Sequence, residues 1–238
     1  MEQNQPPLIE LQNVSVIYSN GALGLTEVNC AIAKGEFAFL VGPTGHGKST
    51  LLKLIHRELL PSQGEVTVSG QSTRRLSLRQ VAFLRRRVGV VFQDFRLLAN
   101  RTLWENIAFA MRVTGASPRQ IHRVVPGLLS KVGLSHKAEA FPAQVSAGEQ
   151  QRAAIARALV NSPAILLADE PTGNLDTDTG WEIVKLLADI NLSGTTVLCA
   201  THNQGIVEAL RKRVITILNG RIASDQPAGT FTAAGPPK

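Results

Sequence analysis

The sequence has few residues that form disulfides or bind zinc, and it has no long apolar run. Only two cysteines occur, Cys30 and Cys199, both among apolar or β-branched neighbours. This excludes a disulfide framework and a cysteine-bound zinc site. No apolar stretch approaches the ~20 residues that a helix needs to cross a bilayer, and residues 1–10 lack the basic start and apolar centre of a signal peptide. We therefore expect a cytoplasmic protein that reaches a membrane only through a partner.

Acidic residues are scarce in one part of the chain, although the composition as a whole is that of a packed domain. The protein is 44% hydrophobic and 18% charged, with a formal net charge of +7. Between residues 71 and 101 a single acid, Asp94, opposes the arginines Arg74, Arg75, Arg79, Arg85, Arg86, Arg87, Arg96 and Arg101. A solvated helix face explains most of these side chains individually. Together they form a basic patch that suits phosphate backbones, anionic lipid headgroups or an acidic protein surface, and charge alone leaves these partners open.

The hydrophobic pattern predicts an α/β fold with a mixed sheet. An antiparallel strand pair at 8–18 and 25–33 opens the chain. Unbroken apolar runs alternating with helical segments predict a buried parallel sheet. The predicted buried strands are 36–41, 164–168 and 196–200, and the predicted helices between them are 48–58 and 178–191.

The remaining pattern predicts a helical insertion and a final hairpin. Strands are predicted at 64–70 and 88–93, and helical periodicity follows from 103 to 160. We expect breaks in that helical region at Pro118, Pro126 and Pro142. Asn219-Gly220 joins the last two predicted strands, 213–218 and 221–224, and is a strong hairpin indicator.

A phosphate-binding loop stands between the first buried strand and its helix. Glycines there let backbone N–H groups turn toward nucleotide phosphates, and the helix start directs its positive dipole end to the same place. In such a loop Lys48 reaches the β and γ phosphates, Ser49 places its hydroxyl on Mg²⁺, and His46 contributes only its backbone. The predicted site for ATP and Mg²⁺ consists of Gly42, Pro43, Thr44, Gly45, His46, Gly47, Lys48, Ser49 and Thr50.

Two acids follow the buried strand at 164–168. Ligands bind at the carboxyl ends of strands in open α/β sheets, so Asp169 is a predicted Mg²⁺ ligand. Side chains alternate along a strand, so we expect Glu170 to point elsewhere and to polarise the attacking water. Alone, two acids at a strand end are equally typical of a solvated edge, and the phosphate-binding loop favours the catalytic interpretation.

Further motifs follow in a set order. They are Tyr18 near the start, Gln93 after a strand, the segment Val145 to Arg152, the segment Asn174 to Asp176, and His202 after the strand at 196–200. With the loop and the two acids, they make the chain resemble the ATP-binding subunits of the ABC transporter superfamily over roughly residues 9–225. The five motifs correspond to the aromatic residue that stacks on adenine, the Q-loop, the signature, the D-loop and the switch histidine.

The resemblance implies a fold and a domain organisation. The expected fold is a P-loop NTPase (RecA-like) core with a mixed sheet, an N-terminal antiparallel β subdomain and a helical subdomain that carries the signature. The helical subdomain is expected at about 95–160, within a single ATP-binding domain at 1–225. Residues 226–238 are expected to form a flexible tail.

The resemblance also implies a role for each motif residue. It implies an ATPase that forms a head-to-tail homodimer with two ATP molecules between the subunits. The expected catalytic residues are Lys48, Gln93, Glu170 and His202, and the expected metal ligands are Ser49, Gln93 and Asp169. Besides the phosphate-binding loop, the expected nucleotide contacts are Tyr18, Ser146, Gly148, Glu149 and Asp176.

The signature departs from the usual Leu-Ser-Gly-Gly-Gln of the family at Val145, Ala147 and Glu149. A Cβ at Ala147 would crowd the backbone if its φ were positive, and turnover would then be slow.

Within the superfamily, residues 83–98 and 101–106 are most similar to a bacterial cell-division branch. That similarity implies an FtsX-like integral membrane partner, the activation of peptidoglycan hydrolases, and a peripheral position on the cytoplasmic face of the inner membrane. Lipoprotein-release and macrolide-export ATPases share the catalytic motifs and stay open as alternatives. A soluble ABC ATPase acting on nucleic acid is less favoured, because this short chain has no room for long coiled-coil insertions or paired ATPase domains.

Overall fold

The computed structural model describes residues 6–228, which form strands and α-helices. The strands are β1 (Ile9–Ile17), β2 (Leu23–Ile32), β3 (Phe37–Val41), β4 (Gln63–Val68), β5 (Gln71–Ser72), β6 (Val88–Val91), β7 (Ile165–Asp169), β8 (Thr196–Ala200), β9 (Arg213–Leu218) and β10 (Arg221–Gln226). The α-helices are α1 (Lys48–Ile55), α2 (Leu78–Arg87), α3 (Leu103–Val113), α4 (Pro118–Lys131), α5 (Ala147–Ala158), α6 (Thr177–Leu192) and α7 (Gln204–Leu210).

Two sheets organise the described residues. The larger sheet has the order β10-β9-β3-β8-β7-β6, in which β9, β3, β8, β7 and β6 run parallel and β10 is antiparallel. The smaller sheet is antiparallel in the order β2-β1-β4-β5. This arrangement confirms the predicted α/β fold with a mixed sheet and an N-terminal antiparallel part.

The core explains why the central strands carry unbroken apolar runs. Phe37, Phe39 and Val41 of β3 face a core that includes α3 to α6, whereas Ala38 and Leu40 face α1 and the antiparallel sheet. All five residues of β3 are buried, because protein covers both faces of the strand. The strand therefore carries the loop that follows it on a rigid support.

The helical region differs from its prediction at one proline. Helices α3, α4 and α5 lie between β6 and β7, and Pro118 is the first residue of α4, as its missing N–H allows. Pro126, a predicted break, lies inside α4 instead. It is on the exposed face, while Val125 and Leu129 are buried, so water can reach the carbonyl that loses its partner. The domain boundaries at about 95, 160 and 225 stay predictions.

The helix predicted at 48–58 is shorter than expected. It ends at Ile55, because Arg57 takes a left-handed φ of 59° and donates its Nε–H to the carbonyl oxygen of Thr73 at 2.8 Å. The predicted tail at 226–238 begins one residue too early, because Gln226 is the last residue of β10 and pairs with Val214. From 229 onward, the predicted tail lies outside the described residues. Within residues 6–228, no helix is long and apolar enough to cross a bilayer.

Candidate active site

The loop between β3 and α1 borders a cavity of about 890 Å³. Gly42, Gly45 and Gly47 have φ values of 141°, 81° and 111°, which favour glycine. A Cβ on Gly42 would collide with the carbonyl oxygen of Ile217 on β9, so the loop is packed closely against the sheet. Its N–H groups and the start of α1 can therefore serve an anionic ligand in the cavity.

Lys48 and Glu170 meet at this loop. The Lys48 Nζ donates to the carbonyl oxygens of Gly42 at 2.7 Å and Pro43 at 3.1 Å, and it lies 3.5 Å from Glu170 Oε1. Both side chains are largely buried, with exposed fractions of 5% for Lys48 and 14% for Glu170. The ammonium group is thus held where phosphate oxygens would bind, directly beside the carboxylate.

The orientation of Glu170 has a different cause from the one predicted. Strand β7 ends at Asp169, and Glu170 takes a left-handed φ of 48°, so strand alternation does not set its direction. Its N–H donates to the carbonyl oxygen of Ala200 at 2.9 Å, and its Oε2 accepts a hydrogen bond from His202 Nδ1 at 2.8 Å. The carboxylate therefore lies between Lys48 and His202, at the mouth of the loop.

The predicted metal ligands are only partly brought together. Ser49 Oγ donates to Asp169 Oδ1 at 3.0 Å, at the edge of the cavity. A hydroxyl and a carboxylate beside a phosphate site suit Mg²⁺, which prefers oxygen ligands and keeps several waters. Gln93 also lines the cavity, but its side-chain amide donates from Nε2 to Asn174 Oδ1 at 3.3 Å. Asn174 Nδ2 in turn donates to the backbone carbonyl oxygen of Gln93 at 2.9 Å.

Tyr18 and Thr50 lie together at another side of the same cavity. The Tyr18 hydroxyl and Thr50 Oγ1 are 2.7 Å apart, and both residues line the cavity with Ala22 and Leu23. Gly24 leaves room for the ring, since a Cβ there would lie 2.8 Å from Tyr18 Cε2. A half-buried aromatic face held in this way can accept a planar base.

The signature residues lie away from the cavity. Ser146 caps α5: its N–H donates to Glu149 Oε2 at 2.8 Å, and its Oγ accepts from the Glu149 N–H at 3.2 Å. The hydrogen bond from the Ser146 N–H to the Glu149 carboxylate is the largest cause that lowers the pKa of Glu149. The Ser146 N–H and hydroxyl oxygen are therefore engaged within the helix cap, although Ser146 is an expected nucleotide contact. None of Ser146, Gly148 and Glu149 lines the cavity.

Ala147 does not crowd the backbone as its replacement of a glycine suggested, and Asp176 caps a helix. Ala147 is exposed, is the first residue of α5 and is not among the residues with positive φ, so its Cβ does not crowd the backbone. Asp176 caps α6 by accepting hydrogen bonds from Thr179 N at 2.9 Å and Thr179 Oγ1 at 2.6 Å. Both hydrogen bonds lower the pKa of Asp176, and the one from the Thr179 hydroxyl has the larger effect. Gly148 packs on this cap, and a Cβ there would overlap Thr179 Cγ2.

Two side-chain contacts beside the site were not predicted from the sequence. His46 Nδ1 accepts a hydrogen bond from Asn219 N at 3.0 Å, whereas only a backbone role was predicted for His46. Gln151 on α5 is fully buried and donates Nε2–H to the carbonyl oxygen of Pro171 at 2.8 Å, next to Glu170. No local pattern indicates either contact, because the partners are 173 and 20 positions apart in the chain.

The sequence of the chain matches one protein family over the region that contains the site. The ABC transporter family matches residues 25–173, a range that holds the phosphate-binding loop, the signature segment and the two acids, Asp169 and Glu170, at the end of β7. The chain belongs to the ABC transporter family. This confirms the resemblance drawn from the motifs, and with it an ATP-binding protein that is an ATPase.

Relatives of this ABC ATPase share nearly its whole length. The cell division ATP-binding protein FtsE of Streptococcus pneumoniae is 50% identical over 224 residues, 94% of this chain and 97% of the relative. The FtsE of Bacillus subtilis is 47% identical, covering 94% and 98%. The FtsE of Escherichia coli is 46% identical, covering 90% and 97%.

Solved ABC cassettes have the same fold. The ATP-binding cassette MJ0796, in a dimeric post-hydrolysis state bound to ADP and phosphate, matches with a TM-score of 0.84 at 34% identity, covering 94% of this chain and 100% of that one. The protein cbiO1 from Clostridium perfringens, part of the ABC transporter complex cbiONQ, matches with a TM-score of 0.87 at 29% identity, covering 94% and 90%.

Proposed function

We propose that this ABC ATPase is the ATP-hydrolysing subunit of a membrane complex in bacterial cell division. Two copies dimerise on ATP and transmit the movement to an FtsX-like integral membrane protein, which leads to the activation of peptidoglycan hydrolases. Identity of 46–50% with proteins named as cell-division ATP-binding proteins supports this branch over lipoprotein release, macrolide export or action on nucleic acid. The chemical part rests on one observation, the carboxylate of Glu170 held between Lys48 and His202.

The residues of the cavity divide the chemistry among them. The loop from Gly42 to Ser49 binds the phosphates through its N–H groups, and the Lys48 ammonium stabilises the charge on the β and γ phosphates. Glu170 accepts a proton from the attacking water. Tyr18 stacks on the adenine. Ser49 and Asp169 would hold Mg²⁺, together with Gln93 once its amide leaves Asn174, and the ion would neutralise charge on the phosphate oxygens.

His202 orients Glu170 in this proposal. A neutral imidazole donates from one nitrogen only, and here Nδ1 donates to Glu170 Oε2. The same ring can hydrogen-bond the γ-phosphate through Nε2 only as an imidazolium, or after it turns away from the carboxylate. His202 is 65% exposed, so such a turn is sterically open. We therefore propose that His202 orients Glu170 before the dimer closes around ATP.

Dimerisation accounts for the position of the signature. Ser146, Gly148 and Glu149 do not line the cavity of their own chain, and in the proposed dimer they complete the cavity of the other copy. The start of α5 then presents N–H groups to the γ-phosphate of that copy, with Asp176 near the same surface. ATP favours the closed dimer because it binds both halves of the site only there.

The basic patch suits a docked protein segment. Two cavities of about 480 and 410 Å³ form a groove between α2 and α3, which we call the α2–α3 groove. Its lining includes Arg85, Arg86, Leu78 and Val113, of which Leu78 and Val113 are 91% and 67% exposed. Apolar side chains among arginines fit an acidic, amphipathic cytoplasmic segment of the membrane partner better than lipid headgroups alone. The chain would then be peripheral, on the cytoplasmic face of the inner membrane.

A glutamine at position 170 tests the ATPase and the dimer. Glu170→Gln removes the proton acceptor but keeps the shape, so we expect ATP binding to persist and hydrolysis to fall by about 100-fold or more. Light scattering after size exclusion should show a monomer without nucleotide and a dimer with Mg²⁺ and ATP. Hydrolysis at a near-normal rate would contradict the role of Glu170, and a persistent monomer would contradict the dimer.

Charge reversal in the groove tests the membrane partner. Arg86→Glu should abolish copurification of an integral membrane protein with the ATPase, without changing basal hydrolysis. Arg119→Glu is the matched control, because Arg119 is exposed at the start of α4 and does not line the groove. Equal capture by both variants would contradict docking at the α2–α3 groove.

A further inference from the structure

The turn between β9 and β10 is attached to the back of the phosphate-binding loop through one residue. Asn219 N–H donates to His46 Nδ1 at 3.0 Å, and Gly220 N–H donates to the His46 carbonyl oxygen at 3.1 Å. Asn219 and Gly220 have φ values of 48° and 76°, as in the two-residue hairpin turns whose central N–H groups are not used by the strand ladder. Both of these N–H groups therefore have their hydrogen-bond acceptor on His46, one on the side chain and one on the backbone.

Close packing surrounds this attachment. The Gly220 carbonyl oxygen accepts a hydrogen bond from Thr26 N at 2.8 Å, which joins the turn to β2. A Cβ on Gly47 would lie 2.7 Å from the carbonyl oxygen of Gly24, and one on Gly220 would lie 3.1 Å from the same oxygen. The loop, the turn and the start of β2 are thus in contact through their backbones, and His46 supplies a side-chain hydrogen bond between the first two.

The imidazole of His46 does not belong to the nucleotide cavity. Thr44, Gly45, Gly47 and Lys48 line that cavity, and His46 does not. The side chain faces the turn, so any effect on ATP must act through the backbone of the loop. Because Gly45 and Gly47 flank it with φ values of 81° and 111°, the loop depends on its attachments for a defined conformation.

We propose that His46 is a positioning residue that holds the phosphate-binding loop in its ATP-binding conformation by accepting the Asn219 N–H. The inference deepens the proposed function and rests on ATP binding at this loop. An unrestrained glycine-rich loop must become ordered when the phosphates bind, and that ordering weakens affinity. The bond requires a lone pair on Nδ1, so the neutral ring carries its proton on Nε2.

A set of three His46 variants tests the proposal through the dissociation constant for ATP with Mg²⁺. His46→Ala and His46→Leu lack the acceptor and should raise the constant about three- to tenfold, the range expected for one lost hydrogen bond. His46→Asn places an amide oxygen near the position of Nδ1 and should stay within about twofold of the wild type. Asn219→Gly is the control, because it keeps the donating N–H and tolerates positive φ.

Two further readouts separate positioning from a general loss of stability. The thermal midpoint without nucleotide should change by less than about 3 °C in all four variants. The kcat at saturating ATP should stay within about threefold of the wild type, because the chemistry is unaltered once the loop is ordered. Wild-type affinity for His46→Ala and His46→Leu would overturn the proposal, as would His46→Asn binding no better than His46→Ala. Absence of ATP binding by the wild type would instead refute the nucleotide site itself.

Discussion

Single residues at the cavity are held by contacts from distant parts of the chain. Glu170 is oriented by a backbone bond to Ala200, by the Lys48 ammonium and by His202. Tyr18 is held by the Thr50 hydroxyl at 2.7 Å. Such preorganised side chains lose little freedom when a ligand binds, so each contributes to affinity or rate mainly through its position.

The ring and the hydroxyl of Tyr18 should have separable effects. Tyr18→Phe keeps the stacking surface and removes only the bond to Thr50, so the dissociation constant for ATP should rise by no more than about threefold. Tyr18→Ala removes the surface and should raise it about tenfold, as expected for a lost base–aromatic contact. Titration of both variants with a fluorescent ATP analogue gives the comparison. Equal losses would contradict stacking.

Two helix starts pack against each other at the surface proposed to meet a second copy. Ser146 and Glu149 cap α5 reciprocally, and Asp176 and Thr179 cap α6. Gly148 is the point where the two caps meet, since a Cβ there would overlap Thr179 Cγ2. The small residue in the signature therefore has a packing reason within one chain, besides any contact with a phosphate across the dimer.

The packing at Gly148 gives a stability prediction with an internal rescue. Gly148→Ala should lower the free energy of unfolding by about 1–3 kcal/mol, because the new methyl group overpacks against Thr179. Adding Thr179→Ser removes Cγ2, keeps the cap hydroxyl and should restore most of that loss. Urea unfolding of the single and double variants measures both. No rescue would show that the collision is relieved elsewhere.

Ala147 should behave differently from its neighbour. Ala147→Gly, at an exposed first position of α5, should cost about 0–1 kcal/mol through helix propensity. Because the Ala147 Cβ has no backbone conflict, the ATPase rate should be unchanged. A steady-state ATPase assay checks this, and a clear increase in rate would mean that alanine does slow turnover.

Charge on the Glu149 cap should affect assembly. The Glu149 carboxylate occupies the Ser146 N–H, at the helix start proposed to receive a phosphate from the second copy. Glu149→Gln keeps the cap geometry and removes a negative charge from that surface. In a Glu170→Gln background, the dissociation constant of the ATP-bound dimer should fall about two- to tenfold, an effect that salt should reduce. Sedimentation velocity measures the constant, and a weaker dimer would contradict the argument.

At the scale of the whole molecule, one polar connection joins the two sheets at their edge. Arg213 on β9 donates to Asp225 at 2.7 and 2.6 Å, to Glu36 at 2.9 Å and to the carbonyl oxygen of Ala31 on β2 at 2.8 Å. Its hydrogen bond to Asp225 is the largest cause that raises the pKa of Arg213. One side chain thus connects β10, the approach to β3 and the antiparallel sheet.

Replacement of Arg213 should lower the free energy of unfolding of the whole domain. Arg213→Lys cannot reproduce the forked contact and should lower the free energy of unfolding by about 1–3 kcal/mol. Arg221→Lys is the matched control, because its pair with Glu27 is more than half exposed and should contribute no more than about 1 kcal/mol. Denaturant unfolding monitored by circular dichroism compares them. Equal losses of stability in the two variants would mean that the contacts of Arg213 contribute no more than an exposed ion pair.

Local pattern determined much of this protein. Apolar runs predict strands that are buried on both faces, the Asn219-Gly220 pair predicts the final hairpin, and residues 42–49 predict the loop between β3 and α1. Each of these features depends on neighbours within a few positions, so a linear sequence contains the needed information. Pro126 shows the limit, since its effect on α4 depends on which face of the helix meets water.

Tertiary structure alone decided which functional side chains meet. The contacts of Glu170 with Lys48 and His202, of Gln93 with Asn174, and of His46 with Asn219 span 32 to 173 positions along the chain. They depend on strand order and on loop residues with left-handed φ, such as Glu170 at 48°. Strand order follows from burial across the entire core, so these distant partners are set by that packing and not by their neighbours in the sequence.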